Sequence, residues 1–470
     1  MRRRLARWAA LALAAAACGQ GQEWRRTPPE LPEQLRIAFP SLECLRIGDG
    51  PQLCVVELSR SPIVALGLSV SAGAQFDPYQ LPGAAQAALT AVFKASDEQG
   101  VPVLETALGE LGGPLQVSVG SDGALLSTYV VPQRLHDAAR LLLDTVIAPT
   151  LDARALASVR SHQCRRAQEI LGDPAMLASL AVRRTSLPPR HPAMLPALRI
   201  QFCNEALGAA EAATLARQLL VPAHTTVLLA GPVTIDEVAP WFRQLTASWT
   251  PTSGGLARRF EVVPRDGAAT IVDLRGLAQT VIAIGGLTAP GRPVDDPALA
   301  LAVAYARSEV QAELRQDLAV TYGVSATIEP VGDRSLWMLT TQVDAAASVA
   351  ALRVLRSSLS ALSQRAIAED EVFTVGIQTL VTSMRTYAVA VDAVRELASR
   401  HRAGAPLAEA TERARDPGAI EAADVERLLR TTFAPERAQL VVVGEALSLS
   451  EAVVLRDARV IRPITVLDGL

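Results

Sequence analysis

The same succession of predicted elements occurs twice in this chain, and this duplication limits the possible folds more than any other feature. Each half predicts strands separated by long helices and closes with a strand that ends in glycine. The first series begins with Val64–Ala72 and closes with Thr226–Gly231, and the second runs from Thr280–Gly286 to Gln439–Gly444. Hairpin-like strands mixed with long helices predict an α+β fold, in which two homologous domains each pack helices on a mostly antiparallel sheet.

The predicted domain boundaries follow from this duplication, because a chain of 470 residues exceeds one ordinary core. Pro251–Gly255 has the composition of a linker. Two similar lobes imply a cleft between them or against a partner. The expected segments are a signal peptide (1–17), a lipidated cysteine with its tether (18–34), an N-terminal domain (35–250), a linker (251–264) and a C-terminal domain (265–470).

The N-terminus predicts export. A basic start, Arg2–Arg4, precedes the apolar run Trp8–Ala17, which is followed at once by Cys18. This arrangement resembles a bacterial lipoprotein signal, in which Cys18 becomes the lipidated first residue of the mature chain. Ordinary signal-peptidase cleavage after Ala17 is the alternative. We therefore expect the protein in the bacterial cell envelope, anchored by lipid and facing the periplasm.

Composition gives no support to nucleic-acid binding or to a further membrane span. Half of the residues are hydrophobic, a fifth are charged, and the net charge is −3. This balance gives no electrostatic reason for binding nucleic acid. The sequence has no later run of about 20 apolar residues, so it predicts no further membrane span.

The cysteines predict at most one disulfide. Cys44 and Cys54 flank a hairpin-turn signal, Gly48–Pro51, so they can face each other across two strands. An exported location permits that bond. Cys164 and Cys203 are interpreted as small buried hydrophobic residues, and the absence of C-x-x-C gives no support to cysteine-based zinc or redox chemistry.

Arg315 and Tyr322 form a candidate binding pair. Arg315 lies at the end of the predicted helix Pro297–Gln316, and Tyr322 begins the next predicted strand. A tight turn between them would direct a guanidinium and a phenol at one volume, where both can donate to a carbonyl, a carboxylate or an oxyanion. The alternative is that Arg315 answers the helix dipole and Tyr322 caps a core edge.

Over nearly all of its mature length the sequence resembles the insulinase-like, or mitochondrial-processing-peptidase-like, zinc peptidases. Gly73 and the helix-opening Gly83 match their N-terminal domain. Leu314-Arg315 and Thr321–Val324 match the stretch L-R-E…L-A-Y-S-V of their C-terminal domain. The resemblance implies that Arg315 and Tyr322 bind substrate peptide and help to polarise the scissile carbonyl.

The catalytic motif of that family, His-x-x-Glu-His, is degenerate here. Gln86 and Thr90 occupy the two zinc-ligand positions, and Leu89 occupies the general-base position. The third ligand would fall near Ala167, and the neighbouring Glu169 is interpreted as a solvated helix residue. We therefore expect this chain to bind no metal.

Two further departures accompany the lost motif. Val303–Ala306 replaces a glycine pair that the family often has before the arginine, which favours helix stability. The five histidines show no ligand spacing and are interpreted as surface or satisfied side chains: His136, His162, His191, His224 and His401.

A lost metal site beside a retained Arg315 and Tyr322 favours a zinc-less subunit of a heteromeric peptidase. The expected partner is a homologous subunit that carries His-x-x-Glu-His and the zinc, the expected substrate is a peptide or unfolded polypeptide, and this chain needs no cofactor of its own. The alternative is a non-enzymatic peptide-binding or structural lipoprotein. Self-sufficient hydrolysis has little support, since the sequence has neither G-x-S-x-G nor paired carboxylates at a recognisable spacing.

Overall fold

The computed structural model describes most of the chain from Phe39 onward. Phe39–Leu470 clusters as one compact unit, and the boundaries predicted at 250 and 265 remain predictions. The described residues are 39–467 except 49, 79–80, 82, 98–99, 121, 189–190, 192–206, 250–264, 291–295, 319–320, 332–333, 365, 409, 411–419, 435, 450–454 and 456.

Twelve described strands form two six-stranded sheets. The N-terminal sheet has the order β1-β2-β6-β3-β5-β4, and the C-terminal sheet has the order β12-β7-β11-β8-β10-β9. The strands are β1 (Leu42–Arg46), β2 (Gln52–Glu57), β3 (Val64–Val70), β4 (Gln116–Val119), β5 (Ala124–Val130), β6 (Thr225–Gly231), β7 (Ala269–Asp273), β8 (Gln279–Leu287), β9 (Thr321–Val331), β10 (Arg334–Asp344), β11 (Gln439–Gly444) and β12 (Arg459–Ile461).

The helices connect and cover these strands. Within the described residues they are α1 (Ala84–Phe93), α2 (Val103–Glu110), α3 (Leu135–Ile147), α4 (Ala153–Leu171), α5 (Pro174–Ser186), α6 (Ala209–Leu219), α7 (Ile235–Leu245), α8 (Pro297–Leu318), α9 (Ser348–Leu362), α10 (Glu369–Ala388), α11 (Ala390–Arg402), α12 (Ala422–Thr432), α13 (Ala446–Leu449) and α14 (Pro463–Leu467).

The predicted duplication is confirmed strand by strand. In each sheet a parallel pair, β2 with β6 or β7 with β11, is followed by three antiparallel neighbours in the same order. Only the sixth strand differs, because β1 joins its sheet antiparallel from the start of the chain and β12 joins parallel from its end. The α+β fold class is therefore confirmed.

The β1–β2 hairpin is closed by a disulfide. Cys44 and Cys54 are directly opposite in the antiparallel register. Their Sγ atoms are 2.03 Å apart and their Cα atoms 4.1 Å apart. The bond that the sequence permits is thus present in the structure.

Cys164 corrects the other cysteine interpretation. This residue, half-buried on α4, is disulfide-bonded rather than a free buried thiol. Cys203 lies outside the described residues.

One helix from each half packs on the sheet of the other half. Helix α5, from the first half of the chain, lies on β8 and β11 of the C-terminal sheet. Its buried residues Leu177, Ala181 and Val182 share one hydrophobic cluster with strand residues such as Val281 and Val441. The C-terminal sheet therefore draws part of its core from residues that precede it by about a hundred positions.

Helix α11 makes the reciprocal contact. It comes from the second half and packs on β3 and β6 of the N-terminal sheet. The Arg395 guanidinium donates to the Gln116 side-chain oxygen (3.1 Å), and the Arg402 Nε donates to a carboxylate oxygen of Asp122 (3.1 Å). These polar contacts fix the helix at the edge of the sheet while its apolar face is buried.

A glycine lies beneath each exchanged helix. A Cβ at Gly67 on β3 would stand 2.6 Å from Val394 Cγ1 of α11, and a Cβ at Gly285 on β8 would stand 2.9 Å from Val182 Cγ1 of α5. Real Cβ atoms do not approach other carbons so closely. The absence of a side chain in each central strand therefore allows the two helices to approach their sheets.

One described stretch, Ala345–Leu362, is long and apolar enough to cross a membrane by length and composition alone. It contains α9, whose residues Leu352, Leu355 and Leu359 are buried in the core of the second half. The same composition is typical of a core helix.

His401 lies near the end of α11 and contacts the N-terminal sheet. Its Nδ1 lies 2.9 Å from the hydroxyl of Ser69 on β3. Burial, with smaller contributions from the positive charges of Arg402 and His224, lowers the pKa of His401 to about 4. The Asp122 carboxylate also lies near His401, because it accepts a hydrogen bond from the adjacent Arg402. The imidazole is therefore neutral in the folded protein at pH 7.

We expect Gly67→Ala to lower the free energy of unfolding by about 1–3 kcal/mol, because the new methyl overlaps Val394. Adding Val394→Ala should recover part of that loss, so the double variant should be more stable than the sum of the single effects. The unfolding midpoints of the four proteins test this. Gly109→Ala on α2, where no atom lies within 4 Å of the new Cβ, is the control and should not lower the midpoint. Additive effects of the pair would contradict the close approach.

The lowered pKa of His401 predicts a pH dependence of stability. Between pH 6.5 and pH 4 the unfolded chain binds a proton at this residue and the folded chain does not. The free energy of unfolding should therefore fall as the pH falls from about 6.5 to about 4. His401→Gln should make the fall shallower in unfolding midpoints measured across that range, and His136→Gln, at an exposed position, should not. Equal slopes in all three proteins would contradict the prediction.

Candidate functional site

Helix α1 carries the degenerate metal motif, and its start is fixed by two residues. Gly83 precedes the helix with φ of 88°, a left-handed conformation that favours glycine. The Asp77 carboxylate, which is buried, accepts hydrogen bonds from the backbone N–H of Gly83 (2.6 Å) and of Ala85 (2.7 Å). A carboxylate at this position also answers the positive end of the helix dipole.

The three motif positions on α1 are occupied by side chains that take part in packing. Leu89 is 0% exposed and belongs to the core of the first half. The Gln86 side-chain amide donates to the carbonyl of Val119 on β4 (3.2 Å), and Thr90 is half-buried. An amide, a leucine and a hydroxyl supply neither imidazole nor carboxylate, so these residues do not fit a zinc ion.

The position of the third ligand does not change this conclusion. The side chain of Ala167 lies outside the described residues. Glu169 is exposed on α4 and accepts a hydrogen bond from Arg166 (3.2 Å). In the part of the chain that the structure describes, no three histidine, cysteine or acidic side chains are grouped as metal ligands.

Of the five histidines, His224 and His401 lie near each other. His162 is exposed, and His136 packs edge-on against Trp241 with ring centres 5.2 Å apart. Burial lowers the pKa of His191 to about 4 and also lowers the pKa of His224.

Near its C-terminal end, helix α8 has one residue in the core, one that contacts α9 and one that is exposed to solvent. Leu314 is fully buried, and the Glu313 carboxylate accepts a hydrogen bond from the Ser358 hydroxyl on α9. Arg315 is exposed. Tyr305, within the segment that replaces the family's glycine pair, is 5% exposed, so that segment contributes to the core.

The face of α8 that carries Arg315 also contacts the beginning of β9. Gln311, one turn before Arg315, accepts a hydrogen bond through its side-chain oxygen from the backbone N–H of Val324 (3.4 Å). Residues four apart lie on one face of a helix. Gln311 therefore ties the helix to the strand on the side to which Arg315 belongs.

A β-bulge lies at the start of β9. In the pairing with β10, Val324 is opposite Thr341 and Thr321 is opposite Val343, so two residues of β9 face the single residue Gln342. The Thr341 hydroxyl donates to the carbonyl of Gly323 (3.0 Å) and holds this irregularity. Tyr322 and Gly323 are therefore the two residues of the bulge.

The structure places only part of the predicted pair. The helix that bears Arg315 ends at Leu318 and the strand that bears Tyr322 begins at Thr321, so a short connection joins them as predicted. The side chain of Tyr322 lies outside the described residues, and so does Cys18. The convergence of Arg315 with Tyr322 stays a prediction.

Two positioning residues were missed by the sequence analysis. Asp77 stands six residues before Gly83 and outside the usual capping position, and Gln311 is an ordinary polar residue on a helix. Neither shows a local sequence signal. The four-residue spacing between Gln311 and Arg315 indicates only that both lie on one face of the helix.

Leu89→Glu should lower the free energy of unfolding by about 3 kcal/mol or more, because it buries a carboxylate in the core and leaves a void. Leu89→Met keeps the volume and should cost less than about 1.5 kcal/mol. Thermal unfolding of the two variants measures the difference. Equal midpoints would show that position 89 faces an open site, as a general base requires.

Comparison with known proteins gives one family. Residues 207–374 match the model of the peptidase M16 inactive domain. The matched segment contains Arg315 and Tyr322 and does not contain α1. No curated protein matches the sequence significantly.

Several solved structures share the fold over most of the chain. A peptidase M16 inactive domain from Pseudomonas fluorescens is 17% identical, with a TM-score of 0.74 over 86% of this chain and 98% of that one. A protease from Helicobacter pylori is 14% identical, with a TM-score of 0.75 over 86% and 99%.

The periplasmic protease PqqL from Escherichia coli is 15% identical, with a TM-score of 0.70 over 89% of this chain and 47% of that chain. This chain therefore spans about half the length of PqqL. The resemblance that the sequence predicted is confirmed: residues 207–374 match the peptidase M16 inactive-domain family, and the chain has the fold of a solved domain of that family.

Proposed function

We propose that this protein is the zinc-less subunit of a heteromeric zinc peptidase. It binds polypeptide through Arg315 and Tyr322, and a homologous chain that carries His-x-x-Glu-His completes the active site. The observation that carries the proposal is the packing of α1, where Leu89 fills the core at the position of the general base. The match to an inactive-domain family supports a non-catalytic chain.

The proposed binding chemistry needs no group on this chain that titrates near neutral pH. An arginine is always cationic and forms paired hydrogen bonds to a carbonyl or carboxylate, and a tyrosine hydroxyl is a neutral donor. In this proposal Arg315 holds the peptide backbone and Tyr322 donates to the oxygen of the carbonyl that is attacked. The attack itself belongs to the metal-bearing partner.

The exposure of Arg315 and the Gln311 contact support this role. The side chain of Arg315 is exposed, so it can bind a ligand without breaking a contact in the core. The hydrogen bond from Val324 to Gln311 holds the start of β9 against α8, and that strand carries Tyr322. A rigid support of this kind is what a binding pair on a helix end requires.

Export and anchoring are part of the same proposal. The Cys44–Cys54 disulfide fits an oxidising compartment, and PqqL, which has this fold, is described as a periplasmic protease. We propose that the chain is exported to the periplasm and held at a membrane through lipid on Cys18.

The test is reconstitution with an exported homologue of similar length that has an intact His-x-x-Glu-His. The mixture should cleave an unfolded peptide and neither chain alone should do so. Tyr322→Phe should lower kcat by about 10²–10³ in the mixture, since one oxyanion donor is lost. Arg315→Ala should abolish most cleavage, and Arg307→Ala, at an exposed position earlier on α8, should leave the rate unchanged.

Two results would contradict the proposal. Stoichiometric zinc in the purified chain would refute the reading of Gln86, Leu89 and Thr90. Unchanged rate and unchanged peptide affinity in both Arg315→Ala and Tyr322→Phe would make the pair structural. Peptide binding without cleavage in any mixture would favour the alternative, a non-enzymatic peptide-binding lipoprotein.

A further inference from the structure

A cavity of about 440 Å³ opens at the end of the C-terminal sheet where β8 ends and β10 and β11 begin. Its wall includes the end of α5, the end of α12 and the residues that lead into β7. The volume falls within the range of small-molecule sites.

The wall of this cavity is positively charged. Arg265, Arg334 and Arg437 line it, and Asp266 is the one carboxylate among the described lining residues. Guanidinium groups pair with carboxylates and phosphates through two parallel hydrogen bonds. Three cations against one anion therefore favour an anionic occupant.

Two of the arginines are anchored by backbone carbonyls. The Nη1 of Arg334 donates to the carbonyl of Thr288 (2.9 Å), and the Nη1 of Arg437 donates to the carbonyl of Thr431 (3.3 Å). Arg334 is half-buried, and Thr288 is itself held by a hydrogen bond from the backbone N–H of Ser335 (2.9 Å). Arg334 is thus held in place before a ligand binds, which lowers the entropic cost of binding.

A buried hydroxyl in the wall lacks a partner. Ser186, the last residue of α5, is 3% exposed and lines the cavity, and its Oγ makes no hydrogen bond within the described part of the chain. A buried hydroxyl without a hydrogen bond has a free-energy cost in the folded chain. A ligand oxygen in the cavity would remove that cost by accepting its hydrogen.

We propose that this cavity binds a small oxyanion ligand, one that bears a phosphate or carboxylate group. The ligand oxygens would accept from Arg334 and from the Ser186 hydroxyl, with Arg265 and Arg437 at the rim. This site is distinct from the peptide-binding pair. Arg334 begins β10, whereas the start of β9 pairs near Val343 at the other end of β10, about 30 Å away at about 3.3 Å per residue.

The test is titration calorimetry of the full mature chain with inorganic phosphate and, separately, with citrate, at constant ionic strength. Saturable binding of either anion is expected, and the anion that binds identifies the phosphate or carboxylate class. Arg334→Gln should weaken binding about tenfold or more, and Ser186→Ala by roughly fivefold. Arg353→Gln, at an exposed position on α9, is the matched control and should leave the affinity unchanged.

The stability of the ligand-free Ser186→Ala protein provides a second readout. Because this variant removes a hydroxyl without a partner, its unfolding midpoint should equal or exceed that of the native chain. A lower midpoint would show that the hydroxyl is already satisfied, and the proposal would be wrong. It would be equally wrong if neither anion bound saturably at millimolar concentration, or if Arg334→Gln and Ser186→Ala bound as tightly as the native chain.

Discussion

The contact on which this structure depends is the reciprocal packing of α5 and α11 on each other's sheets. Each helix covers strands that belong to the opposite half of the chain, and each lies over a glycine, Gly285 or Gly67, that lets it approach. The two sheets therefore do not have independent cores. A change at either interface acts on residues far away in sequence, and the ends of both helices carry polar groups: Ser186 at the cavity and His401 beside Ser69.

The two helices that carry the candidate site residues, α1 and α8, differ in character. Helix α1 is almost wholly apolar and buried. Its Leu89 packs in the core, and the side chain of Gln86 contacts the backbone of β4. Helix α8 keeps an exposed arginine at its end and a hydrogen bond that secures the following strand.

Local patterns were sufficient to predict most elements and the duplication, because alternation and helical spacing record which face of each element is buried. The predicted strand Gln439–Gly444 has the same bounds as β11, and the predicted helix Pro297–Gln316 differs from α8 only by two residues at its end. The exchange of α5 and α11 was not predictable in this way, since an apolar helix face does not record which sheet it covers. The hydrogen bond from Val324 to Gln311 and the burial of Ser186 likewise depend on packing between separate elements.

The reciprocal packing has a consequence for biosynthesis. All six strands of the N-terminal sheet have been translated once Gly231 is added, but α11, which covers β3 and β6, ends only at Arg402. During that interval an apolar surface stays open to solvent, chaperones or neighbouring nascent chains. Folding of the first half is therefore complete only after the second half has been synthesised. A truncated gene product that lacks α11 would leave the apolar surface of β3 and β6 exposed and prone to aggregation.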